Sequence, residues 1–226
     1  MAKPIDLITT LRQVPFFRDL DRSSLRELAL STRILSLERG ADLFTEGDPC
    51  RGMFLVISGQ VKIFRSALSG REQIMAIETP GAVVAELPLI DGEPYPASCS
   101  ALADSEVLLV PREAFEDLLS RKPELAFGVM RLLGGRLRQL VRLVEDLSLL
   151  EVPQRLARYL LELSGRQGAT FPLPLSNQEI AARLGTVREI VSRNLHRLAH
   201  EGAIAIDGRR ITILDEERLR ELAEEP

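Results

Sequence analysis

The chain has 226 residues, a length that allows two domains of ordinary size. Hydrophobic residues make up 45%, as in globular proteins, and aromatic residues only 4%, so the cores must be mainly aliphatic. No apolar run is long enough to span a membrane, and the first residues carry a charge where a signal peptide needs an apolar segment. We therefore expect a cytoplasmic protein with no membrane partner.

The residues that usually bind metals are scarce. The chain has two cysteines, Cys50 and Cys99, and two histidines, His196 and His200. This number is too small for a disulfide scaffold and falls short of the ligand sets of zinc or iron–sulfur sites. The sequence also shows no nucleophile–base pair and no phosphate-binding loop. We expect no metal, no cofactor and no enzymatic activity.

The formal net charge of −4 is unevenly distributed along the chain. Between Pro153 and Leu214 there are nine Arg against five Asp plus Glu, a sum of +4, so the remainder carries −8. Such asymmetry also arises by chance. Its direction, a basic C-terminal segment beside an acidic N-terminal half, is typical of a protein that contacts nucleic acid with one end.

The first half of the chain predicts a helix followed by many short strands. Asp21 can cap a helix whose apolar face includes Leu25 and Leu28. Glycine, proline, aspartate and serine then separate short β-branched and apolar runs, a pattern typical of a β-sandwich or jelly roll. The predicted strands are Arg33–Leu37, Met53–Ile57, Val61–Phe64, Gln73–Ile77, Ser98–Leu102 and Val107–Val110. The segment Ile57-Ser58-Gly59-Gln60-Val61 is predicted to be a tight hairpin.

One long helix is predicted from about Glu124 to Leu150. Its apolar residues alternate steps of four and three, as in the seam of a coiled coil; they are Leu133, Leu137, Leu140, Val144 and Leu147. A helix buried against its own domain would show the same pattern. The length of the run and the arginines on its other faces favour a dimer interface. Gly134-Gly135 would then allow close approach of two helices.

Two capping-box patterns, ten residues apart, mark the C-terminal segment. Ser176-Asn177-Gln178-Glu179 is the first and Thr186-Val187-Arg188-Glu189 the second. Between them lies a short apolar helix ending at Gly185, and after them a longer helix reaches about His200. A short helix, a tight turn and a longer helix form the helix-turn-helix plan, in which the second helix enters the major groove.

The second helix of this motif separates its residues by face. Val187, Ile190, Val191, Leu195 and Leu198 are expected to point inward. The outward residues suit DNA because arginine can bond guanine bidentately and glutamate can accept from cytosine. A solvated, salt-bridged helix surface is the alternative. The predicted DNA-binding residues are Arg188, Glu189, Ser192, Arg193, Ser176, Thr186, His196, Arg197 and Arg209.

A wing and a final helix follow the motif. Ala203–Ile206 and Arg210–Leu214 are joined by Asp207-Gly208-Arg209, and Asp-Gly between apolar runs is a strong hairpin pattern. Asp215-Glu216-Glu217 then opens an acidic amphipathic helix.

The order of these parts resembles the cyclic-AMP receptor protein and fumarate–nitrate regulator (Crp/Fnr) family over nearly the whole chain. The motifs that carry the resemblance are Glu46-Gly47-Asp48 followed by Ile57-Ser58-Gly59, the stretch from Ala85-Glu86-Leu87 to Gly92, the long helix, and Gly185 to Arg193. The resemblance implies an α+β protein with a cyclic-nucleotide-binding-like β jelly roll (residues 1–123), a dimerisation helix (124–151) and a winged helix-turn-helix (152–226).

The resemblance also implies function. Arg188, Glu189 and Arg193 match the base-reading residues of the cyclic-AMP branch, and Glu189, Ser192 and Arg193 match those of the oxygen-sensing branch. The implied target is a two-fold operator with TGTGA-like or TTGAT-like half-sites, one helical turn (~34 Å) apart. The implied partners are double-stranded DNA, a second copy of the chain and RNA polymerase, most often for activation.

The effector site departs from the family pattern. Nucleotide-binding members begin their phosphate cassette with Gly-Glu-Leu and end it with an Arg that pairs with the phosphate. Here the opening is Ala85-Glu86-Leu87, and Tyr95 takes the place of that Arg. A phosphate buried without a cationic partner is costly, so cyclic AMP is not expected. The residues of this degenerate pocket are Glu86, Leu87, Tyr95, Ala97, Ser98, Leu140 and Val141.

The other effectors of the family also fit poorly. The N-terminal cysteine cluster of iron–sulfur sensors is absent, and both histidines lie in the DNA-reading segment. Since cyclic AMP is not expected to bind, we favour a local role for Glu86, in which its carboxylate satisfies loop amides. Four alternatives remain open: an apolar ligand, another unidentified small molecule, a redox role for Cys50, or no effector. The alternative function is a dimeric small-molecule or redox sensor that acts through protein contacts, which leaves the capping boxes and the wing unexplained.

Overall fold

The computed structural model describes residues 6–224. They form two compact units: residues 6–65 with Met75–Gln139, and Ser66–Ile74 with residues 140–224. Within residues 6–224 no helix combines the length and the apolar character needed to cross a bilayer.

Two four-stranded antiparallel sheets form the β-rich N-terminal domain. Their strands are β1 (Arg33–Leu37), β2 (Asp42–Phe44), β3 (Gly52–Ser58), β4 (Val61–Ser66), β5 (Glu72–Glu78), β6 (Val83–Val84), β7 (Ser98–Ala101) and β8 (Ser105–Pro111). The strand orders are β1-β8-β3-β6 and β2-β7-β4-β5. Phe54 and Val107 from one sheet and Val61 and Cys99 from the other share one buried cluster, so the core lies between the sheets. The α+β jelly-roll prediction is confirmed.

The predicted hairpin at residues 57–61 is wrong. Strands β3 and β4 belong to different sheets, because β3 pairs with β8 and β6 whereas β4 pairs with β7. The turn therefore carries the chain from one sheet to the other. Gly59 has φ +77°, and a Cβ there would lie 2.2 Å from Ser105 Oγ. The glycine predicts a tight turn, but the packing of the two sheets decides the pairing.

Four short α-helices and a 3-10 turn (Pro15–Phe17) belong to the β-rich domain; the α-helices are α1 (Leu7–Leu11), α2 (Arg22–Ser31), α3 (Leu87–Asp91) and α4 (Arg112–Arg121). Asp21 caps α2 as expected, since its carboxylate accepts from the Ser24 amide at 2.9 Å. A second apolar cluster holds this layer together, with Phe16, Phe17 and Phe115 in ring contacts.

Helix α5 (Leu125–Leu149) follows the predicted long helix closely. A stripe of large apolar side chains on α5 is exposed in the single chain: Phe127, Met130, Leu137, Leu140, Val141 and Val144. Among the residues of the predicted dimer seam, Leu133 is half-buried and packs against the second apolar cluster. Leu147 is also half-buried and lies beside Gly185.

The C-terminal unit contains three strands and four further helices. They are α6 (Val152–Gln167), β9 (Thr170–Pro172), α7 (Asn177–Leu184), α8 (Arg188–His200), β10 (Ile204–Asp207), β11 (Arg210–Ile213) and α9 (Glu216–Glu224). The sheet order is β10-β11-β9. Buried Leu160, Ile180, Val191 and Leu198 form the centre of this unit. Arg155 donates to the Leu150 carbonyl at 2.7 Å and so satisfies an open carbonyl just after the end of α5.

Candidate nucleic-acid interface and effector site

The first capping box sets the start of α7. Ser176 Oγ accepts from the Glu179 amide at 3.2 Å, and the Glu179 carboxylate accepts from the Ser176 amide at 2.6 Å. Both bonds expected from the sequence are present. They satisfy two amides that the first turn of a helix would otherwise leave without partners.

The second capping box does not form. Gly185 ends α7 in the left-handed conformation (φ +67°), and the Thr186 amide then donates to the Ala181 carbonyl at 2.9 Å. The N-cap of α8 is Val187, whose side chain makes no capping bond. Thr186 therefore lies one residue outside the cap, where its hydroxyl cannot serve the first turn. Val187, expected to point inward, is 45% exposed for the same reason.

The outer face of α8 carries the predicted base-reading residues. Arg188, Glu189 and Arg193 are exposed, and within residues 6–224 none of the three has an ion pair or a side-chain hydrogen bond. Ser192 is half-buried, and His196 and Arg197 are exposed further along the helix. Arg197 has an ion pair with Glu201, at 3.8 Å. The N-terminal half of the helix thus presents polar groups with unused bonding capacity.

Two clefts lie beside α8 in the C-terminal unit. One, of about 530 Å³, is lined by residues that include Arg155, Arg193 and Arg197. The other, of about 290 Å³, is lined by Ser176, Asn177, Gln178, Arg188, Gly208 and Arg209, among others. The structure therefore brings Ser176, Arg188 and Arg209 together across 33 residues of sequence.

The sequence prediction did not include Arg155, Asn177 or Gln178, although all three line these clefts. Asn177 and Gln178 lie inside the first capping box, so their position next to Ser176 in the sequence could have indicated that they line the same site. Nothing in the local pattern indicates Arg155, because α6 reaches α8 only in the tertiary structure.

The wing forms as the Asp-Gly pattern predicts. Strands β10 and β11 pair in register from Ile204 with Ile213 to Asp207 with Arg210, and Gly208 in the turn has φ +58°. Arg209 donates to the Leu173 carbonyl at 2.9 Å, which ties the wing tip to the segment before α7. Arg210 is exposed beside it.

Tyr95, which the resemblance places where nucleotide-binding members carry a phosphate-pairing Arg, lies in the core of the β jelly roll. The residue is 2% exposed, and its ring stacks on Phe44 with centroids 4.1 Å apart. Its hydroxyl accepts from the Arg51 amide at 3.0 Å and lies 3.4 Å from the Gly52 carbonyl. Tyr95 is a core residue in this chain and offers no positive charge to a ligand.

Glu86 binds an arginine from a distant helix. Arg136 of α5 donates from Nε to the Glu86 carboxylate at 2.9 Å and from a terminal nitrogen to the Val83 carbonyl at 2.6 Å. Its other terminal nitrogen pairs with Glu78. Within residues 6–224 the partner of the Glu86 carboxylate is Arg136 and not a loop amide, so the expectation that Glu86 satisfies loop amides is wrong. No sequence pattern indicated that Arg136 would lie next to Glu86.

The remaining predicted pocket residues differ in exposure. Ala97 is buried, and Ser98 Oγ accepts from the Glu46 amide at 3.0 Å. Leu87 is exposed at the start of α3. In the other unit, Leu140 and Val141 are exposed on α5.

Neither cysteine has the features of a redox thiol. Burial raises the pKa of Cys50, and burial raises the pKa of Cys99 to about 12. Reactivity follows the thiolate fraction, so both shifts reduce it. Within residues 6–224 no three His, Cys, Asp or Glu side chains are grouped to hold a metal.

A β jelly roll, a long helix and a winged helix-turn-helix together define a class of DNA-binding regulators. Family models agree: the cyclic nucleotide-binding domain matches residues 34–122 and the Crp-like helix-turn-helix domain residues 154–222. The chain belongs to the Crp/Fnr family of DNA-binding transcription regulators.

Two relatives illustrate the family membership. The chain is 31% identical to a CRP-like cAMP-activated global transcriptional regulator of Mycobacterium tuberculosis, over 92% of this chain and 96% of that protein. It is 34% identical to the transcriptional activator protein Anr of Pseudomonas aeruginosa, over 90% of this chain and 84% of that protein. The solved structure of FixK2 from Bradyrhizobium japonicum has a TM-score of 0.75 at 27% identity, covering 86% of this chain and 98% of that one.

Proposed function

We propose that the chain is a homodimeric transcription regulator that binds a two-fold operator in the cytoplasm, with residues 1–123 as sensor, 124–151 as dimerisation helix and 152–226 as DNA-binding domain. The observation that carries the proposal is the outer face of α8. Arg188, Glu189 and Arg193 are exposed there without internal partners, as residues that must bond base edges have to be.

The DNA contacts divide into two kinds in this proposal. Arg188, Glu189, Ser192 and Arg193 contact bases, because they occupy the N-terminal half of the recognition helix. Ser176, Thr186, His196, Arg197 and Arg209 contact the phosphate backbone and fix the register of the protein on DNA. Of these residues, Arg197 lines one cleft beside α8, and Ser176 and Arg209 line the other.

The dimer is formed by α5 in this proposal. Its exposed apolar stripe runs through Phe127, Met130, Leu137, Val141 and Val144, with steps of three, seven, four and three residues, and this heptad spacing is that of a helix that packs on a parallel copy. Gly134 falls between Met130 and Leu137 in the same stripe. Exposed apolar surface of this kind marks an interaction site, and a second α5 offers the complementary surface.

We also propose that cyclic AMP does not control the protein. A cyclic nucleotide needs a cation for its phosphate, and the position from which the family supplies that cation holds buried Tyr95. We propose activation through contact with RNA polymerase, since a relative is named as a transcriptional activator.

The alternative, a sensor module that acts through protein contacts, makes a different prediction for DNA. Under that hypothesis the exposed arginines of α8 have no specific target, and the purified protein would enrich no sequence from random DNA. Selection from a random library, with and without small molecules from a cell extract, separates the two and yields the half-site.

Arg193→Ala tests the base-reading assignment on the selected operator. Loss of a bidentate base contact should weaken binding by about 1–3 kcal/mol and relax the preference at one base pair of each half-site. The measurement is a titration of labelled operator and single-base variants. Arg166→Ala removes an exposed arginine from the same unit outside α8 and should leave both properties unchanged. An unchanged titration for Arg193→Ala would remove it from the base-reading set.

A further inference from the structure

The C-terminal helix α9 takes no part in the DNA contacts proposed above. It packs along α6 in the C-terminal unit, and its apolar face contains the buried residues Leu219 and Ala223. Its other face is charged and opens with the exposed acidic run Asp215-Glu216-Glu217. The phosphate backbone of DNA repels acidic groups, so any role of α9 in function must come from the residues that it contacts within the chain.

The last part of α5 belongs to the same compact unit as the helix-turn-helix. That unit contains residues 140–224, and therefore three apolar residues of the exposed stripe, Leu140, Val141 and Val144. The end of the proposed dimer interface and the recognition helix α8 thus lie in one unit. The α5–α6 corner, residues 146–158, connects them along the chain.

Two arginines of α6, three residues apart on one face, close the α5–α6 corner. Arg155 Nη1 donates to the carbonyls of Asp146, Leu147 and Leu150, at 3.2, 3.4 and 2.7 Å. The end of a helix carries open carbonyls and the negative end of its dipole, so a guanidinium is favoured there. Arg155 thereby fixes α6 to the end of α5, and Arg158 lies beside it.

Arg158 extends this connection to α9. Its Nη1 pairs with the Asp146 carboxylate at 3.0 Å, and its Nε donates to the Ala223 carbonyl at 3.3 Å. One guanidinium therefore joins the last turn of α5, the helix α6 that carries it, and the last turn of α9. The side chains of Arg158 and Asp146 are 43% and 39% exposed, so their ion pair adds little to the stability of the fold. What it adds is a fixed arrangement of three helices.

We propose that α9 holds the α5–α6 corner at a fixed angle through Arg158, and thereby sets the separation of the two recognition helices in the dimer. Arg158 is then a positioning residue that determines which half-site spacing the dimer accepts. A change of angle at the corner moves α8 relative to the end of α5, and so changes the distance between the two copies of α8. This inference rests on the dimer and the DNA contacts proposed above.

The test measures which half-site spacings the purified full chain accepts. The selected operator is compared with versions that have one base pair added or removed between the half-sites, a shift of about 3.4 Å. Wild type should bind the altered operators about tenfold more weakly, because the dimer or the DNA has to deform. Arg158→Met should remove most of this difference and leave the base preference within each half-site unchanged.

Arg166→Met is the matched control, since Arg166 is an exposed arginine of the same helix that pairs with Glu162 within α6. It should bind every operator as wild type does. If Arg158→Met weakens binding by the same factor at every spacing, Arg158 has only a structural role and the inference is overturned. An unchanged spacing preference for Arg158→Met overturns it as well.

An exchange of the two charges separates the contribution of α9 from that of the ion pair. Asp146→Arg combined with Arg158→Asp allows an ion pair between α5 and α6, but an aspartate cannot donate to the Ala223 carbonyl. The exchanged protein should therefore still tolerate altered spacings. Recovery of the wild-type spacing preference would show that the ion pair suffices without α9, and would overturn the inference.

Amide hydrogen exchange tests the connection without DNA. Arg158→Met should speed exchange in α9 and in the last turn of α5, whereas Arg166→Met should not. Unchanged exchange in both segments overturns the inference. If wild type enriches no DNA sequence or forms no dimer, the proposed function fails, and the exchange measurement alone then decides whether Arg158 joins α9 to the corner.

Discussion

Ala85 has a backbone conformation that its side chain disfavours. Within residues 6–224 it is the one non-glycine residue with a positive φ, at +66°. A Cβ in the left-handed region costs about 1–2 kcal/mol, which is why glycine usually occupies such positions. Alanine at this position therefore holds a backbone conformation that is better suited to glycine.

Ala85→Gly should therefore stabilise the protein. Relief of the strain, less the extra entropy of glycine in the unfolded chain, leaves a gain of about 0.5–1 kcal/mol. Denaturant unfolding of the full chain measures the gain. Ala126→Gly, at the second residue of α5, is the control with the opposite effect and should lower the stability, by less than the about 1 kcal/mol expected in a helix interior. A lower stability for Ala85→Gly would show that the turn is not strained.

Cys99 should be inert to thiol reagents in the folded protein. Burial raises its pKa to about 12, so the folded chain keeps its proton where an unfolded thiol has lost it. Folding stability should accordingly fall as pH rises from the ordinary thiol range towards 12. Labelling of Cys50→Ser with a chromogenic disulfide at pH 8 should proceed only after denaturation. Rapid labelling of the folded variant would contradict the assigned burial.

At the scale of the element, the two capping-box patterns have different outcomes. Ser176 makes both reciprocal bonds with Glu179, whereas Thr186 lies before Val187, the actual N-cap of α8. The sequence patterns are equivalent, so the difference comes from the turn. Gly185 ends α7, and the Thr186 amide donates to the Ala181 carbonyl. Thr186, which the pattern assigned to the N-cap of α8, therefore belongs to the turn that closes α7.

Ser176→Ala should cost about 1 kcal/mol, the usual value of an N-cap hydroxyl. Thr186→Ala should cost less than about 0.5 kcal/mol, as expected of a residue without a specific bond. Chemical unfolding of each full-length variant gives the comparison, with amide exchange at Glu179 as a local check. Equal losses of stability for the two variants would show that Thr186 does cap α8.

At the scale of the whole molecule, the exposed apolar stripe along α5 is the surface that we propose to form the dimer. Gly134 and Gly135 are informative because a Cβ at either would meet nothing within 4 Å in the single chain. Alanine at either position should improve helix propensity by about 1 kcal/mol. The two glycines differ in the face of α5 that they occupy, since Gly134 lies in the apolar stripe and Gly135 lies beside it.

Gly134→Ala should weaken the dimer by about 1–3 kcal/mol, because a methyl group at a close helix crossing overpacks it. Gly135→Ala should leave the dissociation constant unchanged. Sedimentation equilibrium across a range of concentrations measures both variants. Weaker association for Gly135→Ala, with Gly134→Ala unaffected, would move the crossing to another face of α5.

The sequence by itself determined the parts with strong local patterns: strands such as β1, the long helix, the first capping box and the wing. Their periodicity and turn residues act within a few positions of the chain. It did not determine which strands pair across the turn at Gly59, nor which residue caps α8. It also gave no indication that Arg136 reaches Glu86, fifty residues away. Only the tertiary structure decides these, because sheet packing and buried ion pairs depend on groups that the fold brings together.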